Sequence, residues 1–344
     1  MKTKTSKAFH QGGNASNETI STVHPDIIQS HILTRLDGPS LASFACTSSQ
    51  LHALSTEENL WQNICSSTWP SVNHPRVQEF ISTFPSGHRS FFSDSFPFPD
   101  PQPLKLDVNS LTLPKELISA VDIFYQNKII YSKVEEMETS SGWFLCSPFR
   151  VDLLDPKDST STPIKYFGGS KDDTWLKHLE ENLSLSWIVI DPTRKKAVNM
   201  SSRRAVSLQR HWLTGDVQVR FGTVVMSGDE LRGSSRELVE CAVVVMCGGK
   251  EGEDMHVREV SMVMDDMEGK ALNGKDSLLI LEGVMERGRR RGNGNEGKEK
   301  YEEYEGKKRE RKKRKQRKER ALDLVCITIG VAGFVTLCSA MLFK

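Results

Sequence analysis

Residues 324–343 run for twenty positions without a charged side chain, and the fourteen residues 307–320, KKRERKKRKQRKER, carry eleven basic and two acidic groups. No other feature restricts the fold as sharply. A helix of that length reaches about 30 Å, the hydrocarbon thickness of a bilayer. The polar side chains within it, Thr328, Thr336 and Ser339, can bond back to helix carbonyls, leaving the backbone satisfied in lipid. A single transmembrane helix over residues 321–343 is therefore expected, with membrane as a partner. The basic run has three readings: a solvated charged linker, a nuclear import signal, or the cytoplasmic flank of the helix. The positive-inside pattern favours the flank, which keeps the N-terminal body in the cytosol. With one residue after the span, insertion is expected to be post-translational, as for tail-anchored proteins. The nucleus is the alternative location, and the two can coexist at the nuclear envelope.

The basic tail distorts the charge average. The whole chain has 46 Lys+Arg against 45 Asp+Glu, a net charge of +1, yet residues 307–320 alone contribute +9. Residues 1–306 are left at −8, with 34 basic and 42 acidic groups. A folded face coated with positive charge is excluded, so no nucleic-acid partner is expected. The seven cysteines show no Cys-x-x-Cys pair, and the N-terminal residues 1–18 contain no apolar core of a secretion signal. A reducing, cytosol-facing body with free thiols follows, and the Asn-x-Ser/Thr matches at Asn14, Asn17, Asn182 and Asn199 carry little weight.

Residues 1–20 are polar and read as disordered. Over residues 21–70 apolar side chains recur at helical spacing: Ile28, Ile32 and Leu36 lie at i, i+4 and i+8, with Pro25 in the first turn and Gly38-Pro39 as the stop. Shorter helices then present Leu41, Phe44 and Ala45, bury Leu51 and Leu54, and carry Leu60, Trp61 and Ile64. Residues 71–112 mix Phe with Pro and read as an extended linker. Over residues 113–286 the period switches to 2. Val217, Val219 and Phe221 alternate with polar residues, as do Val260, Met262 and Met264. Further strand-like runs are 117–125, 128–134 after a Gln126-Asn127 turn, 185–190, 238–246 and 277–284, with one short helix near residues 174–181. Seven or more short strands predict an antiparallel β-sandwich-like domain. Residues 287–320 read as a charged low-complexity linker without a core. The fold class is thus α+β multidomain: a small helical unit, a β-rich domain and a C-terminal transmembrane helix.

At residues 23–69 the pattern becomes specific. Val23-His24-Pro25-Asp26-Ile27-Ile28, His31-Ile32-Leu33-Thr34-Arg35-Leu36, Ser40-Leu41-Ala42 and Glu58-Asn59-Leu60-Trp61 resemble an F-box, with His24 in place of the usual Leu and Leu51 where a Trp is common. The resemblance implies that Pro25, Ile28, Ile32, Leu33, Leu36 and Leu41 bury against a Skp-type adaptor and, through it, engage a cullin. Read without the resemblance, the same positions are the core of a small helical domain. Farther on, residues 184–192, Arg203-Arg204, residues 209–215 and residues 256–260 resemble the C-terminal region of a group of plant F-box proteins. The strand order also resembles that of jelly-roll phloem lectins, without matching sugar-binding residues.

No catalytic signature is found, and no cofactor or metal site is expected. The nine histidines show no metal or nucleophile spacing. Gly168-Gly169 and Gly248-Gly249 read as turns, Asp265 and Asp266 as a solvated turn, and Trp187 and Trp212 as core and half-buried edge residues. The expected function is a non-catalytic one: the substrate-recognition subunit of a cullin-RING (SCF-type) ubiquitin ligase, with an unknown protein target on the β domain. A membrane-anchored scaffold or lectin-like binding protein is the alternative.

Overall fold

The computed structural model describes residues 23–96, 98–99, 113–167, 173–227, 238–287, 290–291 and 296–343. The expected N-terminal disorder, the turn at Gly168-Gly169 and the Pro-rich residues 100–112 lie outside the described residues. The chain divides into two compact units, residues 1–64 and 65–344. The first holds α1 (Pro25–Ile27), a π-turn (Ile28–Ile32), a 3-10 turn (Leu33–Arg35), α2 (Gly38–Ala45) and α3 (Ser49–Ser55), and α4 (Glu58–Thr68) spans the division.

In the second unit, a 3-10 turn (Pro70–Asn73), α5 (Pro75–Thr83) and α6 (Gly87–Ser95) precede the strands. Residues 70–95 therefore hold a 3-10 turn and two helices, not an extended linker. Their prolines do not break helices, because Pro70 and Pro75 occupy first-turn positions where the missing N–H costs nothing. Their aromatics are core. Trp69 meets Phe91 and Phe92 at centroid separations of 6.1 and 5.4 Å, and Phe84 meets Phe91 at 5.9 Å.

The strands are β1 (Phe98–Pro99), β2 (Glu116–Tyr125), β3 (Lys128–Glu138), β4 (Arg150–Asp152), β5 (Thr160–Lys165), β6 (Leu183–Asp191), β7 (Lys196–Asn199), β8 (Ser207–Arg210), β9 (Val217–Met226), β10 (Leu238–Gly248), β11 (Asp254–Asp265) and β12 (Arg290–Arg291). The accompanying helices are α7 (Gly142–Cys146), α8 (Asp173–Asn182), α9 (Gly274–Arg287) and α10 (Glu296–Leu342). One antiparallel sheet has the order β3-β2-β6-β7; the other runs β4-β11-β10-β9-β8, with β5 also on β11, and β1 pairs with β12. Gln126 and Asn127 both adopt positive φ in the β2–β3 hairpin, the backbone a two-residue turn requires. The two sheets share one core, in which Val121 and Ile123 of β2 and Trp187 of β6 join Val219 and Phe221 of β9, Val243 of β10 and Met262 of β11.

Strand β2 is covered on both faces. Its second face carries Asp122, fully buried, which accepts from the Ser71 N–H at 3.0 Å, the Ser71 hydroxyl at 2.5 Å and the Ser132 hydroxyl at 2.7 Å. Burial pushes the Asp122 carboxyl above its ordinary range, against the pull of these three donors. Asp122→Ala would strand them, at a cost of at least about 2 kcal/mol, read as a lower urea midpoint of the β-rich unit.

Two further expectations change. Residues 277–284 are not a strand but lie in α9, started by Asn273, whose side chain accepts from the Asp276 N–H at 2.8 Å. An apolar run such as Leu278-Leu279-Ile280-Leu281 fits a buried strand or a buried helix equally, and the cap decides. Second, residues 296–320 are not a coreless linker. They are helical and continuous with the apolar segment. Tyr301 and Tyr304 are buried against Val206, Val224 and Met267. Gly222 makes the room, since a Cβ there would stand 2.8 Å from the Tyr301 ring. Beyond the tyrosines the helix continues its contact through charge: Lys308 to Glu240 at 3.3 Å, Arg311 to Glu268 at 3.9 Å and Lys315 to Glu268 at 3.3 Å. Positions 301, 304, 308, 311 and 315 recur every three and four residues, one face of the helix.

Candidate functional site

The first helix is capped by His24, whose Nδ1 accepts from the Asp26 N–H at 3.3 Å; the residue that departs from the usual leucine is an N-cap. The Leu33 N–H then donates to the Ile28 carbonyl, an i to i+5 bond. This π-turn changes which side chains share a face. Ile28 and Leu33, five apart, are both fully buried, whereas a regular repeat would have set Ile28 with Ile32. The chain then leaves the helical region at Leu36, and Gly38-Pro39 opens α2 instead of closing the first helix. Asp37 caps α2, accepting from the Ser40 N–H at 2.9 Å, and hydrogen bonding to Ser40 holds its carboxyl below the ordinary value. Ser48 caps α3, and the Trp61 indole donates to the Ser55 carbonyl at 2.8 Å.

The six side chains expected to meet an adaptor divide evenly. Ile28, Leu33 and Leu41 are fully buried. Pro25, Ile32 and Leu36 are partly exposed. Ile27, outside that set, is 49% exposed, in keeping with the Ile27-Ile28 pair, since adjacent helical residues cannot both face inward.

In the β-rich unit Trp187 is wholly buried and its indole donates to the Ser119 hydroxyl at 3.1 Å, as core. Trp212 is not half-buried but 87% exposed, with Leu213 at 71%. Their turn is held, not frayed: the His211 N–H donates to the Asp216 carbonyl at 2.7 Å, and the Tyr166 hydroxyl donates to the Gly215 carbonyl at 2.6 Å. Asp266 is likewise buried, accepting from the Glu268 and Lys270 N–H groups at 2.8 and 3.0 Å to build the turn after β11.

The F-box domain family matches residues 24–63, the stretch from the His24 cap to the middle of α4. Beyond it, F-box protein At2g27310 from Arabidopsis thaliana is 49% identical over 96% of this chain and 98% of its own length. This chain is an F-box protein. F-box protein At3g44326 of the same plant is 47% identical over 86% of this chain and 82% of its own, and the probable F-box protein At2g36090 is 48% identical over 81% and 79%. No solved structure matches the chain. In this F-box protein no group of three or more His, Cys, Asp or Glu side chains among the described residues could hold a metal ion. None of its seven cysteines forms a disulfide, and burial pushes the Cys247 thiol up to about 12.

Proposed function

We propose that this F-box protein is the substrate-recognition subunit of a cullin-RING ubiquitin ligase, held at a membrane by residues 324–343. The observation that carries the reading is the division within the F-box: Ile28, Leu33 and Leu41 hold the unit together while Pro25, Ile27, Ile32 and Leu36 offer apolar surface from the same short stretch. Exposed apolar anchors among polar neighbours are how an interface concentrates its energy. The Skp-type adaptor occupies that surface and brings the cullin. The β-rich unit holds the target, and the subunit acts by position, turning a bimolecular encounter with a charged conjugating enzyme into a tethered one without a covalent step of its own. The expected location is a membrane with the F-box on the cytosolic side.

The test is binding of the full chain, in detergent, to a recombinant Skp-type adaptor with its cullin. The wild type should bind. Ile27→Asp with Leu36→Asp sets unpaired charges against the adaptor and should weaken binding at least about 100-fold while the fold persists. Leu33→Ala acts otherwise: it empties a buried site, costing about 2–5 kcal/mol of F-box stability. A wild-type chain that fails to bind would overturn the ligase reading; unchanged binding by the Asp pair would overturn the surface.

A further inference from the structure

Helix α10 uses one face to dock and leaves a strongly basic remainder. Lys308 is committed to Glu240, and Arg311 and Lys315 to Glu268. Arg309, Lys312, Lys313, Arg314, Arg317, Lys318 and Arg320 are exposed, with only Glu310 and Glu319 among them. The docking contacts also give the helix a direction. Tyr301 lies over Gly222, in the middle of β9; Lys308 reaches Glu240, which pairs with Val224 and Asp265 near one end of the sheet; Lys315 reaches Glu268, beyond that end. The helix therefore leaves the sheet past the 266–270 turn, away from the Trp212 hairpin, which joins β8 and β9 at the opposite end. No flexible joint intervenes before the apolar segment, because α10 is unbroken from Glu296 to Leu342.

We propose that the exposed basic side chains of α10 between Arg309 and Arg320 bind the anionic headgroups of the bilayer that residues 324–343 enter, so that membrane charge and the Glu240 and Glu268 contacts together fix how the β-rich unit stands over the membrane. This rests on the membrane reading above. Along the helix, Arg320, Lys318 and Arg317 lie about 6, 9 and 10 Å before Leu324, while Lys312 lies about 18 Å before it. Surface potential fades within a Debye length of about 8–10 Å, so the last three cations carry most of the attraction, about fivefold in affinity each. Continuity with the apolar segment favours lipid over nucleic acid as the occupant, since Arg317, Lys318 and Arg320 stay within about 10 Å of the span while it is inserted.

The experiment places the full chain in nanodiscs of phosphatidylcholine alone or with about one third phosphatidylserine, and follows acetylation of single lysines by mass spectrometry. In phosphatidylserine discs Lys318 should react at least about tenfold more slowly, Lys312 and Lys313 less so, and Lys250 on the β10–β11 turn unchanged; 0.5 M salt, at which screening shortens to a few ångströms, should remove most of the protection. Equal rates in the two discs would overturn the lipid site while leaving the anchor standing. Stronger protection by an added RNA oligonucleotide than by phosphatidylserine would assign the cations to nucleic acid instead. A chain that does not enter the discs at all would sink the membrane reading, and this inference with it.

Discussion

Replacing Val331 and Val335 by Arg should move the chain from the membrane fraction to the soluble one. Eleven large apolar side chains between residues 324 and 343 are more than half exposed, from Leu324 at 63% to Phe343 at 92%, and the apolar window of α10 is wholly unburied among the described residues. On the insertion scale the Leu, Ile, Val and Phe side chains among them favour the span by about 0.3–0.6 kcal/mol each, about 3–6 kcal/mol together. Soluble monomers rarely leave such a surface in water. One Arg at the centre of a span costs about 2.5–3.5 kcal/mol, so the pair removes about 5–7 kcal/mol, roughly a ten-thousand-fold change in partition. A single span has lipid on every side, so rotating the helix relieves neither charge. Extraction in alkaline carbonate is the measurement. The wild type and a Val331→Leu, Val335→Leu control should stay in the pellet and the Arg pair should not; a wild type that washes off would overturn the anchor.

How much of this could be read from the sequence depended on which residues did the work. Where apolar side chains set a period, the reading holds: the alternation at Val217, Val219 and Phe221 lies in β9, and the β2–β3 turn falls at Gln126-Asn127. Where polar chemistry set the structure, period counting fails. The π-turn at Ile28 to Ile32 shifts the buried set by one residue, because a backbone bond and not a side chain changed the repeat. The stripe Tyr301, Tyr304, Lys308, Arg311, Lys315 has the spacing of a packing face, yet three of its five members are cationic, and their partners Glu240 and Glu268 lie far away in sequence. The opposite charges of body and tail, −8 and +9, were the one legible sign that the tail has a docking partner within the chain. At the proposed adaptor surface the sequence marked apolar positions, and only the adjacent Ile27-Ile28 pair showed that one of two must face outward.

That docking is also where a single substitution in the β-rich unit should cost most. Glu240 is fully buried on β10, held by Arg220 Nη2 at 2.7 Å and Nε at 2.8 Å, by the Tyr301 hydroxyl at 3.0 Å and by Lys308 Nζ at 3.3 Å. Burial works against the charge of Arg220, but the charge and hydrogen bond of Glu240 outweigh it and hold the guanidinium above its ordinary value. Burial first, then the nearby Glu240 charge, pushes the Asp265 carboxyl up. Glu240→Ala leaves Arg220 and Lys308 facing one another around an empty site. Breaking a buried pair in this way costs about 3–5 kcal/mol, and Asp265, 3.9 Å from Arg220, remains as a partial partner that offsets some of it. Lys308→Ala should cost far less, because Lys308 is a quarter exposed and its loss leaves Glu240 paired with Arg220. The double variant should therefore cost less than the two singles together, with a coupling of at least about 0.5 kcal/mol measured by chemical denaturation of the full chain in detergent. Strict additivity would mean that α10 does not dock on the sheet in solution, and the basic segment would then stand away from the β-rich unit instead of bracing it.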